Sequence, residues 1–184
     1  MAGIFSRLLG KDSALKRDGE RIYDAVRVHS RNPVFYGEGK VPDTYDGRID
    51  FLTLNIAVIL KAIRPFGEDG KRLSQSIFDA MKDDFDVAMR EEGISDKGVA
   101  KRIKPMMKLF YTRLKAYDAA LHEAEPHVAL ISALQKGLFS KSEIVPGKDD
   151  FIKQLARYTV LWSKGLSSKT LGQIAMAELE ISEF

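Results

Sequence analysis

No cysteine occurs in the 184 residues. That excludes disulfides, a thiolate nucleophile and Cys-ligated zinc, and it fits a reducing cytoplasm. No apolar run approaches the roughly 20 residues that span a bilayer. The longest, Phe51 to Ile63, is interrupted by Asn55 and Lys61 and reads as a core helix. The apolar stretch within Met1 to Leu9 is too short for the core of a secretory signal. Histidine is scarce. His122 and His127 stand five apart across Pro126, not at the i, i+4 spacing of a zinc-binding helix, and His29 is isolated near an expected helix end. Gly37-Glu38-Gly39 follows no strand, Gly70-Lys71 is followed by Arg72 rather than Ser or Thr, and no Gly-x-Ser-x-Gly is present. These absences leave no catalytic residue, metal ligand, cofactor or small-molecule substrate to assign. The expectation is a protein that binds rather than reacts.

What is present is helical periodicity. Apolar residues make up 45% and charged residues 30%, with a net charge of +3, the balance of one ordinary globular domain. Residues 1–12 form a small amphipathic start, with Ile4, Phe5, Leu8 and Leu9 opposite Arg7. The domain proper is expected over 13–184 as an all-α bundle of six to seven helices. Ser13 is the expected cap of a first helix ending near Ser30. Pro33, Gly37, Gly39 and Pro42 mark a structured loop pinned by Phe35 and Tyr36. A helix apolar on most sides, 48–63, belongs at the centre. Further helices are expected over 71–90, from Ser95 to about Leu121, 126–139, 149–164 and 168–179. Gly93 suits the left-handed exit of the third, and Pro105 should kink the fourth near Lys101.

The third and fourth helices carry opposite charge. Asp79 to Glu92 holds six acids and two bases, a net of −4, whereas Asp96 to Lys115 holds seven bases and one acid, a net of +6. Such patterning governs association more than fold. Lys97, Lys101, Lys104, Lys108 and Lys115 step by 4, 3, 4 and 7, so they form one outward row opposite the stripe Val99, Ile103, Met107, Phe110, Leu114, Tyr117 and Leu121. The row suits an anionic partner: a phospholipid surface, ribosomal RNA or an acidic protein. A solvated face is the alternative. Arg102 and Arg113 flank the stripe and are expected to pair with the acidic helix. Asp79, Asp83 and Asp86 share a face, but Lys82 and Arg90 stand at ion-pair spacing from Asp86, so pairing is expected there rather than metal binding. Tyr111 lies on the lysine side and Phe78 lies off the apolar stripe of its helix. Both are candidate aromatic anchors for a partner.

Several phrases, in order, resemble one family. They are Arg31-Asn32-Pro33-Val34-Phe35-Tyr36, Val41-Pro42-Asp43-Thr44-Tyr45-Asp46-Gly47-Arg48, Ser74-Gln75-Ser76-Ile77-Phe78-Asp79-Ala80-Met81, Gly93-Ile94-Ser95-Asp96-Lys97, Lys101-Arg102-Ile103-Lys104 and Phe110 to Asp118. From about Tyr23 to Tyr158 the chain resembles the ubiquinol–cytochrome c chaperones, assembly factors of the cytochrome bc1 complex. The resemblance implies an all-helical protein that is not an enzyme, whose client is newly made cytochrome b and which works on the cytoplasmic side, peripheral to the inner membrane and near the ribosome. One departure is Asn55, where the family often has His. Two other functions fit the residues: an RNA- or ribosome-binding helical module using the lysine row, and a lipid- or quinone-binding protein with an apolar pocket.

Overall fold

Helix α2 (Tyr45–Ile63) forms the centre because no side of it is polar enough to face water: fourteen of its nineteen residues are buried. Thr44 opens it, its hydroxyl oxygen accepting from the Gly47 N–H at 3.1 Å. Two buried polar side chains within it are satisfied locally. Thr53 Oγ1 donates to the Ile49 carbonyl and Asn55 Nδ2 to the Phe51 carbonyl, each at 2.7 Å, so neither leaves an unpaired polar group in the core.

The computed structural model describes residues 2–91, 93–140, 147–179 and 184, with the backbone alone for 2–11 and 100. Around α2 pack α1 (Ala2–Ser30), α3 (Gly67–Glu91), α4 (Asp96–His122) and α6 (Lys148–Leu166). Helix α5 (Pro126–Lys136) lies against α4 and α6, and α7 (Leu171–Ala175) rests on α1. The described residues contain no strand, only an isolated bridge between Tyr36 and Val41. The fold is therefore the expected all-α bundle.

Four boundaries differ from the sequence expectation. Ser13 lies inside α1, which begins at Ala2; the backbone of 2–12 is continuous with it, and the side chains of the amphipathic start lie outside the described residues. Helix α3 begins earlier, directly after a 3-10 turn at Arg64–Phe66. Helix α5 ends at Lys136 because Gly137 turns the chain, leaving Phe139 to close back on the Leu134 carbonyl at 3.0 Å. The last helix shrinks to Leu171–Ala175: Thr170 and Gln173 cap it reciprocally, and Ala177 at φ 59° ends it. The expected loop holds as read. Phe35 is 1% exposed and packs on Phe51, while Tyr36 donates to the Ser30 carbonyl at 2.6 Å.

Two close approaches set helix positions. Helix α1 crosses α3 at Gly19, where an added Cβ would sit 2.3 Å from Ser76 Oγ. Beyond Glu91, the last residue of α3, Gly93 turns at φ 76°, with Gly93 N–H on the Arg90 carbonyl and Ile94 N–H on the Met89 carbonyl. This double bond pattern satisfies the helix end and turns the chain into α4.

Burial divides the interior in two. The main core joins α1, α2, α3, α6 and the C-terminal half of α4 through residues such as Ile22, Phe51, Ile77, Tyr117 and Leu155. A separate cluster of Ile49, Met89, Val99 and Met106 supports the N-terminal half of α4.

Candidate functional site

Helix α4 places its lysines as the spacing predicts. Lys97, Lys101, Lys104, Lys108 and Lys115 are all exposed, because the apolar positions between them turn Val99, Phe110, Tyr117 and Leu121 inward. Tyr111 is 53% exposed on the same side. It is not a free-standing anchor: its ring stacks on Phe78 of α3 at 5.7 Å, and Phe78, half-buried, also meets Phe110 at 6.1 Å. Phe78 is thus the packed base and Tyr111 the exposed face of one aromatic step between α3 and α4.

The acidic and basic helices are joined at their shared turn. Arg90 bonds Asp86 within α3 and Asp96 at the start of α4. The expected pairing of Arg113 with the acidic helix does not occur. Arg113 stands one turn before Tyr117 and so faces α2, where its Nε donates to Asp50 Oδ2 at 2.7 Å. Tyr117 donates to the other carboxylate oxygen at 2.5 Å. Burial pushes the Asp50 carboxyl up, opposed by the Tyr117 hydrogen bond and the Arg113 charge; burial and the Asp50 charge push the Tyr117 hydroxyl well up. The result is a buried carboxylate held by two partners. Arg102 instead stays exposed.

Beside this network lies a feature that sequence reading did not locate. A groove of about 700 Å³ opens where the start of α2, the end of α3 and the first half of α4 meet. Ile49, Met89, Met106 and Leu109 give it an apolar floor, and Lys101 and Arg102 stand on its rim. It continues through shared Tyr45, Asp46 and Leu109 into a second cavity of about 610 Å³, at whose wall Asp50 and Arg113 lie. Of the lysine row, only Lys101 lines either cavity among the described residues; Tyr111 and Phe78 line neither. The available signals were an Asp at a core-facing position of the mostly apolar α2 and one methionine, Met106, off the apolar stripe of its helix.

The histidines take structural positions. His29 is 9% exposed beside the rings of Phe35 and Trp162, and burial pushes its imidazole down to about 4. His122 and His127 contact the backbone carbonyls of Asp118 and Lys153. No group of three or more His, Asp or Glu among the described residues is placed to hold a metal ion. No helix among them is long and apolar enough to cross a membrane.

The described residues thus form an all-helical bundle with an apolar groove and two basic side chains on its rim. The ubiquinol–cytochrome C chaperone family model matches residues 38–178, most of the chain. The chain therefore belongs to the ubiquinol–cytochrome c chaperone family, assembly factors of the bc1 complex. The crystal structure of the Cbp3 homolog from Brucella abortus superposes with a TM-score of 0.76 at 30% identity, covering 98% of this chain and 96% of that one. No curated protein matches the chain.

Proposed function

We propose that this protein holds newly made cytochrome b at the inner membrane until the subunit enters the bc1 complex. The observation that carries the reading is the apolar groove of about 700 Å³ cut beside the exposed lysine row of the same helix. A nascent membrane subunit presents apolar helix and lipid surface together. The methionine-lined floor suits the first, because flexible thioethers adapt to varied apolar side chains. The lysines suit the second, since anionic head groups attract basic side chains by about 1 kcal/mol each near the surface. Tyr111, seated on Phe78, adds an amphipathic ring of the kind favoured at a membrane interface. The protein works peripherally, on the cytoplasmic face, and does no covalent chemistry.

Deletion in the native host, followed by a haem difference spectrum of membranes, tests the function. The b- and c-type signals of the bc1 complex should fall while the terminal oxidases persist. A photoreactive side chain in place of Leu109 should capture cytochrome b. Normal bc1 spectra without the protein would overturn the reading. Charge reversal at Lys101, Lys104 and Lys108 should weaken sedimentation with anionic vesicles; unchanged sedimentation would remove the membrane contact.

A further inference from the structure

The ties that hold α4 to the bundle are unevenly spread along it. From Phe110 onward they are dense. Phe110 and Tyr111 meet Phe78 of α3, and Arg113 and Tyr117 share Asp50 of α2. Arg64 donates to both carboxylate oxygens of Asp118, at 2.8 and 2.9 Å, and Lys61 Nζ donates to the Leu121 carbonyl at 2.8 Å. Before Met106 they are sparse. Among the described residues, no side chain of 97–105 takes part in a hydrogen bond or ion pair; the polar ties nearest to it are Arg90 on Asp96 and the Tyr45 hydroxyl on Met106 Sδ. Of the described side chains in this stretch, Val99 alone is buried.

Two pivots bound the same stretch. Gly93, at φ 76°, turns the chain out of α3. Pro105 has no N–H to give the Lys101 carbonyl, so α4 bends there more readily than elsewhere. Between the pivots, Val99 packs in the small cluster with Ile49, Met89 and Met106, apart from the main core. Moving the stretch therefore leaves the main core intact, as in local opening. Gly98, Lys101, Arg102 and Pro105 form the α4 wall of the groove. Volume gives a reason for that wall to move. Two turns of an α-helix about 10 Å across fill roughly 850 Å³. The groove offers about 700 Å³.

We propose that residues 94–104 are a lid on the groove, swinging away from α2 between Gly93 and Pro105 to admit an apolar helix of the client. This motion rests on the client reading above and adds how the site opens. Val99 withdraws from Ile49 and Met89, which lays the methionine floor open. The ties beyond Phe110 keep the rest of α4 in place, so the opening is confined to one end of the bundle.

Because the chain has no cysteine, introduced thiols can be spin-labelled in defined pairs. Val28→Cys with Lys97→Cys reports on the lid, and Val28→Cys with Lys115→Cys on the anchored half; all three positions are exposed. The probe is an uncharged 16-residue amphipathic helical peptide of leucine and glutamine. On binding, the 28–97 distance should shift by about 5 Å, half a helix diameter, while the 28–115 distance stays fixed. Pro105→Ala restores the missing donor. It should slow amide exchange over 97–104 by about tenfold and weaken the peptide by about tenfold, with an unchanged far-UV spectrum verifying the fold. Peptide bound with the 28–97 distance unchanged would mean a rigid groove, and a shift of both distances a loosening of the whole bundle. Either result, wild-type behaviour of Pro105→Ala, or a peptide that does not bind overturns the lid. The client reading is judged separately, by the haem spectrum of the host.

Discussion

The two halves of α4 share one periodicity and live in different surroundings. The C-terminal half is keyed into the main core by Phe110, Tyr117, Ala120 and Leu121, and locked to α2 through Asp50. The N-terminal half rests on the small cluster of Ile49, Met89, Val99 and Met106, with its first turn tied to α3 by the exposed Arg90–Asp96 pair. Exposed pairs contribute little, and Pro105 removes one backbone donor from this half. The half that borders the groove is therefore the more weakly held. Binding surfaces are commonly drawn from such low-stability regions.

Breaking the strong half should have the largest effect. Asp50→Ala leaves the Arg113 guanidinium and the Tyr117 hydroxyl without their acceptor and should lower stability by about 3 kcal/mol in chemical denaturation. A loss within about 0.5 kcal/mol, the range of ordinary surface substitutions, would show that the network does not hold α4. In the weak half, Met106→Ala should cost about 2 kcal/mol. Hydrogen exchange should quicken over 96–109 before it does over 110–121; uniform quickening would erase the distinction between the halves. The smallest effect concerns pH. His29 is buried in the main core, its folded value of about 4 lying below the ordinary 6.5. The unfolded chain thus binds a proton more readily, so stability should decline as pH falls from about 6.5 toward 4. His29→Phe should flatten the denaturation midpoint across that window, and an unaltered slope would mean that the ring is not kept neutral by burial.

Much of this fold was legible along the chain. The apolar run of α2 located the centre, the stripe of α4 oriented the lysine row, and Gly93 marked the turn between the charged helices. Each of these depends on neighbours within a few residues, where 3.6-residue periodicity and backbone sterics act directly. The misreadings were at ends and across elements. Ser13 resembled a cap because Ser commonly begins helices, yet the helical backbone runs through it from Ala2. Arg113 was assigned to the wrong helix because charge balance along the sequence does not state which buried carboxylate lies opposite.

The sequence by itself determined an all-α class, the order of the helices, which face of each is apolar, and the family. It also separated acidic from basic surface. Only the tertiary structure decided that Asp50 meets Arg113 and Tyr117 across 63 and 67 residues of chain. It alone brought Ile49 of α2, Met89 of α3 and Met106 of α4 together in one groove. The physical reason is range. Helix formation and amphipathicity are settled within a turn or two, whereas a groove exists only where several helices pack and leave a gap that none of them encodes alone.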